Sequence, residues 1–150
     1  MDKLIAPSLE KLIDEWDKDS VIDLIDASRE ILRIPVIHSK YNKYMTLHTL
    51  SAKKTEIEYS KVKRIKWMYY SGKLSQEELD SYGWEPFTFT LKSDINVYID
   101  GDEDLSKILR KIVYHEQAAA YCNNVMKELN NRTWQLKEHM THERFINAQH

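Results

Sequence analysis

The chain has 150 residues and a formal net charge of −2, which suits one domain, or one domain with a helical assembly segment. No apolar run approaches the roughly 18 residues that a membrane span needs, and the N-terminus lacks the layout of a signal peptide. The single cysteine, Cys122, excludes an intrachain disulfide framework. We therefore expect a protein of a reducing cytoplasm.

The predicted elements are mainly helical, because the chain has only three glycines and three prolines. A short amphipathic helix is predicted over 7–16, and residues 19–34 are ambiguous. A long helix is predicted over about 35–72, because Pro35 suits a helix start and Gly72 suits a helix end.

Two short strands are predicted after a brief acidic helix. Ser75 and Glu78 form a capping box for that helix. Residues 86–92 and 95–99 then alternate apolar and polar side chains, which favours two β-strands joined through Ser93-Asp94. The fold class expected is thus mainly α with a small β hairpin.

A long apolar repeat runs from Leu105 to Met140, and Asn130-Asn131 is a point where it would break into two helices. We expect this stripe to associate between subunits, because a thin chain of this length is too small to cover it from within. The alternative is a core helix pair within one subunit. The residues assigned to oligomerisation are Leu105, Ile108, Ile112, Ala119, Cys122, Met126, Leu129, Leu136 and Met140.

Charge is distributed unevenly along the chain. Residues 36–73 carry nine basic side chains against Glu56 and Glu58, a net of +7, whereas residues 74–104 carry nine acidic side chains against Lys92, a net of −8. Because salt screens charges beyond roughly 8–10 Å, the basic block acts locally. It is able to hold phosphates although the whole molecule is slightly acidic.

The basic block also contains aromatic residues. Lysine and arginine neutralise phosphates, and aromatic faces stack on bases, which is the mixture that single-stranded DNA binding requires. The alternative is a solvated helix face whose aromatic residues belong to the core, and composition alone favours it. The cations concerned are Lys61, Lys63, Arg64 and Lys66, and the aromatic residues are Tyr59, Trp67, Tyr69 and Tyr70.

Signatures of catalysis and of metal binding are missing from the sequence. The acidic run 100–104 fails the EF-hand pattern, since Leu105 and Lys111 stand where a glycine and a glutamate are needed. There is no P-loop, no G-x-S-x-G and no H-E-x-x-H. We expect a protein that is not an enzyme and that has no cofactor and no metal. A metal-dependent nuclease would need a carboxylate cluster, and no paired spacing in 74–104 provides one.

Four segments, in order, resemble the UvsY family of phage recombination mediators, particularly the versions carried by T-even-like phages of cyanobacteria. They are Pro35–Tyr41, Lys66–Lys73, Tyr98–Asp104 and Asn130–Lys137. The resemblance implies a ring-like homo-oligomer, a hexamer or a heptamer, that binds single-stranded DNA. It also implies that the protein helps to load a RecA-like recombinase onto strands coated by single-stranded-DNA-binding protein, in the cytoplasm of an infected bacterial host.

The resemblance also implies roles for particular residues. Arg64 and Lys66 fall where the family has a lysine and an arginine that serve DNA binding, with the two cations in exchanged order. Residues 1–101 would form the DNA-binding region and residues 102–150 the assembly region, while Trp67, Tyr69 and Tyr70 are left as packing residues. The competing hypothesis is a non-catalytic helical scaffold or adaptor whose basic block binds acidic protein partners.

Overall fold

Every secondary-structure element is a helix in the part of the chain that the computed structural model describes, residues 4–87 and 91–149. Single turns of 3₁₀ helix, Leu24–Asp26 and Lys92–Asp94, precede two of the helices. No helix in these two ranges is both long and apolar enough to cross a membrane. The helices are α1 (Leu9–Asp19), α2 (Ala27–Tyr70), α3 (Gln76–Tyr82), α4 (Ile95–Asp100) and α5 (Glu103–Ala148).

Helix α2 begins at Ala27, eight residues before the predicted start at Pro35. The Asp26 carboxylate caps it by accepting a hydrogen bond from the Arg29 amide at 3.2 Å. Pro35 lies inside the helix, where the missing N–H and the ring clash cost about 3 kcal/mol. Burial of the flanking Ile34 and Ile37 offsets that cost, so tertiary packing overrides the local signal.

The predicted C-terminal end of α2 and the predicted start of α3 are confirmed. Gly72 adopts the left-handed conformation with φ of 72°, and the Lys73 amide donates back to the Met68 carbonyl at 2.9 Å, which satisfies a terminal acceptor. At the start of α3, the Ser75 hydroxyl accepts from the Glu78 amide at 3.2 Å. Both helix termini are therefore determined by capping hydrogen bonds between residues that are close in sequence.

The predicted strand at 95–99 is wrong, because this segment is helix α4. Ile95 and Ile99, four residues apart, are both buried, while Val97 is exposed, and this is helical rather than alternating burial. The other predicted strand includes residues 88–90, which lie outside the described residues. No strand occurs in 4–87 or 91–149.

Helix α5 continues without interruption past Asn130-Asn131, so the predicted break is absent. Leu129 and Leu136, on either side of these asparagines, are both buried, and their packing favours an unbroken helix. At its start, the Asp102 carboxylate accepts from the Leu105 amide at 3.0 Å. The acidic run 100–104 therefore caps a helix.

The chain divides into two compact units, and both long helices contribute to each of them. Unit 1 comprises residues 1–50 and 115–150, and unit 2 comprises residues 51–114. The division thus falls within α2 and α5 rather than at residue 102, and the functional boundary predicted there stays a prediction.

Unit 1 has an apolar core formed by α1 and the adjoining parts of α2 and α5. Leu12 and Leu129 are fully buried in it. Tyr41 is also fully buried, and its hydroxyl donates to the Asp19 carboxylate at 2.9 Å. The ring places apolar area in the core while its one polar atom is satisfied.

Unit 2 has a smaller aliphatic core with an aromatic cluster beside it. Ile95, Ile99 and Leu105 are buried against Tyr59, Val62 and Tyr70. The ring of Tyr70 also packs edge-on against Phe87, with ring centroids 5.0 Å apart. This core holds one side of α2 and leaves its opposite side to solvent.

Candidate nucleic-acid interface

Exposed cations of unit 2 lie along the solvent side of α2, and we call them the basic face. Lys54, Lys61 and Arg64 are seven and three residues apart, so they project from one side of a helix with 3.6 residues per turn. Among the described residues, Lys61, Lys63 and Arg64 have no carboxylate in ion-pair contact, whereas Lys53 lies 3.3 Å from Glu56. The basic face consists of Lys53, Lys54, Lys61 and Arg64. Lys63 is also exposed, but it is two residues from Lys61 and projects from another side of α2, where its ammonium lies 5.9 Å from the centre of the Tyr59 ring.

Arg64 and Lys66 point to opposite sides of α2, although both were predicted to contact DNA. Two residues of helix correspond to a rotation of about 200°. Arg64 is exposed, whereas Lys66 is only 6% exposed. Only Arg64 is therefore placed where a strand on the outer side of the helix could contact it.

Lys66 is the centre of a buried polar cluster. Its ammonium lies 3.1 Å from the Asp102 carboxylate and 2.8 Å from that of Asp104, and 4.2 Å from the centre of the Trp84 ring. The Tyr70 hydroxyl donates to Asp102 at 2.6 Å. Asp102 therefore joins the start of α5 to α2 while it also caps α5.

Lys66 and Asp102 each stabilise the charged form of the other. Burial alone lowers the pKa of Lys66, but hydrogen bonds to Asp104 and Asp102 raise it above its ordinary value. Burial alone raises the pKa of Asp102, but hydrogen bonds from Tyr70, Leu105 and Lys66 bring it below its ordinary value. Lys66 is thus a charged structural residue, and its position does not support a phosphate contact. In the sequence, the acidic run 100–104 was the feature that could have indicated Asp102 and Asp104 as partners of Lys66.

The aromatic residues that follow separate into packed and exposed ones. The Tyr69 hydroxyl donates to the Glu85 carbonyl at 2.8 Å, and its ring lies 5.0 Å from that of Trp84. Tyr69 and Tyr70 are packing residues, as the sequence indicated. Trp67 differs, because 38% of it is exposed.

The stripe predicted to join subunits is largely buried within one chain. Leu105 belongs to the core of unit 2, and Cys122, Met126, Leu129 and Leu136 belong to the core of unit 1. Ile108 and Ile112 are buried as well. Ala119 is half-buried, and Met140 packs against the core of unit 1. The premise that one chain cannot cover this stripe is wrong, since α1, α2 and α4 supply the partners.

Helix α5 instead exposes a different set of apolar side chains in unit 1. Trp134 is 71% exposed and Phe145 is 61% exposed, and both line an open groove with Thr141 and His142. Sequence reasoning missed them because they lie outside the buried repeat. Their exposure is visible only when the helix is placed against its neighbours.

A second feature that sequence reasoning missed is a histidine pair in unit 1. The Nδ1 atoms of His48 and His115 lie 3.0 Å apart, and His48 Nε2 lies 2.7 Å from the Pro7 carbonyl oxygen. Because a carbonyl only accepts, His48 Nε2 carries the proton, and His115 Nδ1–H donates to His48 Nδ1. No group of three or more metal-ligating side chains occurs among the described residues.

Comparisons with known proteins agree with this architecture. A family model described as "Recombination, repair and ssDNA binding protein UvsY" matches residues 15–149. Among curated protein sequences, none matches the chain significantly.

Three crystal structures of the bacteriophage T4 recombination mediator protein UvsY share the fold. Lattice type II has a TM-score of 0.80 at 21% identity, covering 95% of this chain and 98% of that one. Lattice type I has a TM-score of 0.78 at 19% identity, covering 90% and 98%. Lattice type IV has a TM-score of 0.80 at 18% identity, covering 93% and 99%. Since the family model spans most of the sequence, the chain belongs to the UvsY family of recombination, repair and single-stranded-DNA-binding proteins.

Proposed function

We propose that the basic face of α2 binds the phosphates of single-stranded DNA, with Lys61 and Arg64 as its principal contacts. The observation that carries the proposal is their exposure without carboxylate partners among the described residues. Lys54 to Arg64 extends over about 15 Å of helix at 1.5 Å per residue. Cations held at this spacing neutralise successive phosphates and release counterions. Lys66 has no part in this contact, because Asp102 and Asp104 already engage it.

The proposed biological role is that of a mediator which helps to load a RecA-like recombinase onto strands coated by single-stranded-DNA-binding protein. Membership of the family supports this role. A ring-like homo-oligomer, a hexamer or a heptamer, would present several basic faces to one strand. Each weak site then acts at high effective concentration, so that the assembly binds far more tightly than one subunit.

The apolar side chains of α5 that face solvent are the proposed contacts for a second copy. Trp134 and Phe145 are exposed, and large aromatic residues are enriched at the centres of protein interfaces. They replace the buried stripe in this role, because Leu129 and Leu136 are already covered within the chain. Light scattering on Trp134→Ala should report a smaller solution mass than the unsubstituted protein.

The test of the DNA-binding proposal is the double variant Lys61→Ala/Arg64→Ala, titrated with a labelled poly-dT oligonucleotide at several salt concentrations. We expect weaker binding, and a plot of log K against log salt that is shallower by about 0.7 for each phosphate that is no longer neutralised. The matched control is Lys11→Ala/Lys18→Ala. It removes the same charge from exposed positions on α1 and should leave both quantities unchanged.

Unchanged affinity and unchanged salt slope in Lys61→Ala/Arg64→Ala would contradict the proposal. If the unsubstituted protein also lacked a steep salt slope, the chain would instead be a helical adaptor for acidic protein partners. Solution mass measured with and without oligonucleotide distinguishes weaker DNA binding from a failure to assemble.

A further inference from the structure

Trp67 has surroundings unlike those of the two tyrosines that follow it. The Tyr69 and Tyr70 hydroxyls donate to Glu85 and Asp102, and their rings pack together with centroids 5.1 Å apart. Trp67 is 38% exposed. A cation lies over its ring, the Lys73 ammonium, 4.5 Å from the ring centre. An exposed indole beside a cation is not explained by core packing.

The position of Trp67 on α2 places it at the end of the basic face. It follows Arg64 by three residues and Lys63 by four, and side chains at these spacings are neighbours on a helix surface. Lys73, which follows the C-terminal cap of α2 at Gly72, is a further exposed cation, and its ammonium lies over the Trp67 ring. Trp67 therefore has cations near it both on α2 and just beyond the end of α2, and these cations are suited to contact phosphates.

We infer that Trp67 stacks on a base of the bound single strand, while Arg64 and Lys73 contact the flanking phosphates. The inference rests on the proposed DNA-binding role of the basic face and adds a contact to the base. Every base has a π-face, so stacking of this kind binds single strands without sequence preference. Lys73 lies over the ring, and the base stacks against the face opposite to it.

Two ligands of equal length separate base stacking from phosphate contact: a short oligo-dT and an abasic strand with the same phosphates. Trp67→Leu, which keeps apolar bulk but removes the ring, should weaken binding to oligo-dT about five- to 160-fold. It should leave binding to the abasic strand unchanged, and Trp67→Phe should restore most of the affinity for oligo-dT. Arg64→Ala should weaken binding to both ligands.

The control for lost apolar surface is Ile57→Ala, which removes a side chain that is 60% exposed on the same side of α2. It should not discriminate between the two ligands. Circular dichroism and light scattering establish that each variant folds and assembles. If Trp67→Leu does not fold or does not assemble, the fluorescence of Trp67→Phe tests the stacking contact instead. Oligo-dT should quench the emission of the unsubstituted protein, and most of this quenching should be lost in Trp67→Phe.

Equal losses on both ligands, no loss on either, or undiminished quenching in Trp67→Phe would overturn the inference. If the basic face did not bind DNA at all, the result would differ, because Arg64→Ala would then leave the affinities for both ligands unchanged. The two conclusions are therefore tested separately by the same set of titrations.

Discussion

Each of the two compact units is stabilised by a different kind of interaction. Unit 1 buries Leu12, Leu129 and other apolar side chains in a core formed by three helices. Unit 2 has a smaller aliphatic core, and beside it lies a charged cluster in which Lys66 is bound by Asp102 and Asp104. Unit 1 also has ion pairs, such as Arg33 with Glu30, but one partner in each is about a third exposed or more. Among the described residues, an ion pair with both side chains buried, Lys66 with Asp102, occurs only in unit 2, the unit that carries the basic face.

The contrast matters because the two kinds of interaction respond differently to change. Apolar burial contributes about 25 cal/mol per Å² and involves no charge that a substitution could leave uncompensated. A buried ion pair contributes little net stability, but removal of one partner leaves an uncompensated charge. We therefore expect unit 2 to be more sensitive than unit 1 to single substitutions that alter charge.

The largest effect is expected from Lys66→Met. Asp102, whose side chain is 4% exposed, would lose the ammonium group that compensates its buried charge. The free energy of unfolding should fall by about 3–5 kcal/mol, as for other broken buried ion pairs. Denaturant-induced unfolding followed by circular dichroism measures this.

The matched control is the double variant Lys66→Met/Asp102→Asn. Asparagine carries no charge, and it retains an oxygen that accepts from the Leu105 amide. Its NH2 group takes the place of the oxygen that accepts from the Tyr70 hydroxyl, and it can donate to the Tyr70 oxygen instead. The double variant should therefore recover part of the lost free energy of unfolding. A loss of less than about 1 kcal/mol in Lys66→Met, or no recovery in the double variant, would show that the ion pair does not govern the stability of unit 2.

A smaller effect, confined to unit 1, is expected on mild acidification. Burial and the neighbouring His48 both lower the pKa of His115. The folded state thus disfavours a proton that the unfolded chain accepts, so stability is full above the ordinary histidine pKa of about 6.5 and falls below it. In unit 2, the lowered pKa of Asp102 means that its contribution is lost only below its ordinary value of about 3.9.

Hydrogen exchange at pH 7.5 and pH 5.5 distinguishes the units, because it reports opening locally. After correction for the intrinsic pH dependence of exchange, amides of α1 in unit 1 should lose protection at the lower pH, whereas those of α4 in unit 2 should not. His115→Gln should remove most of this difference. Equal loss of protection in both units would contradict the assignment to the histidine pair.

The sequence determined those features whose partners lie within a few residues. Ser75 with Glu78 and the turn at Gly72 were predicted correctly because a cap is local chemistry. The segment 95–99 was predicted wrongly because a short apolar run does not reveal whether burial follows a period of two or of four. The partners of Lys66 lie more than thirty residues away, and a local pattern carries no information about them. The apolar repeat of α5 likewise shows that a partner exists, but not whether it belongs to the same chain.

The smallest effect is expected from Glu103→Gln, which breaks an exposed ion pair of unit 2. Its carboxylate lies 2.9 Å from Arg110, as close as the contacts of Lys66, but the two side chains are 70% and 64% exposed. Water and salt screen such a pair, so the free energy of unfolding should fall by less than about 1 kcal/mol, including the lost interaction with the N-terminus of α5. The loss should shrink further in high salt, whereas that of Lys66→Met should persist. If Glu103→Gln were as costly as Lys66→Met, proximity rather than burial would determine the strength of ion pairs in unit 2, and the contrast between the units would no longer hold.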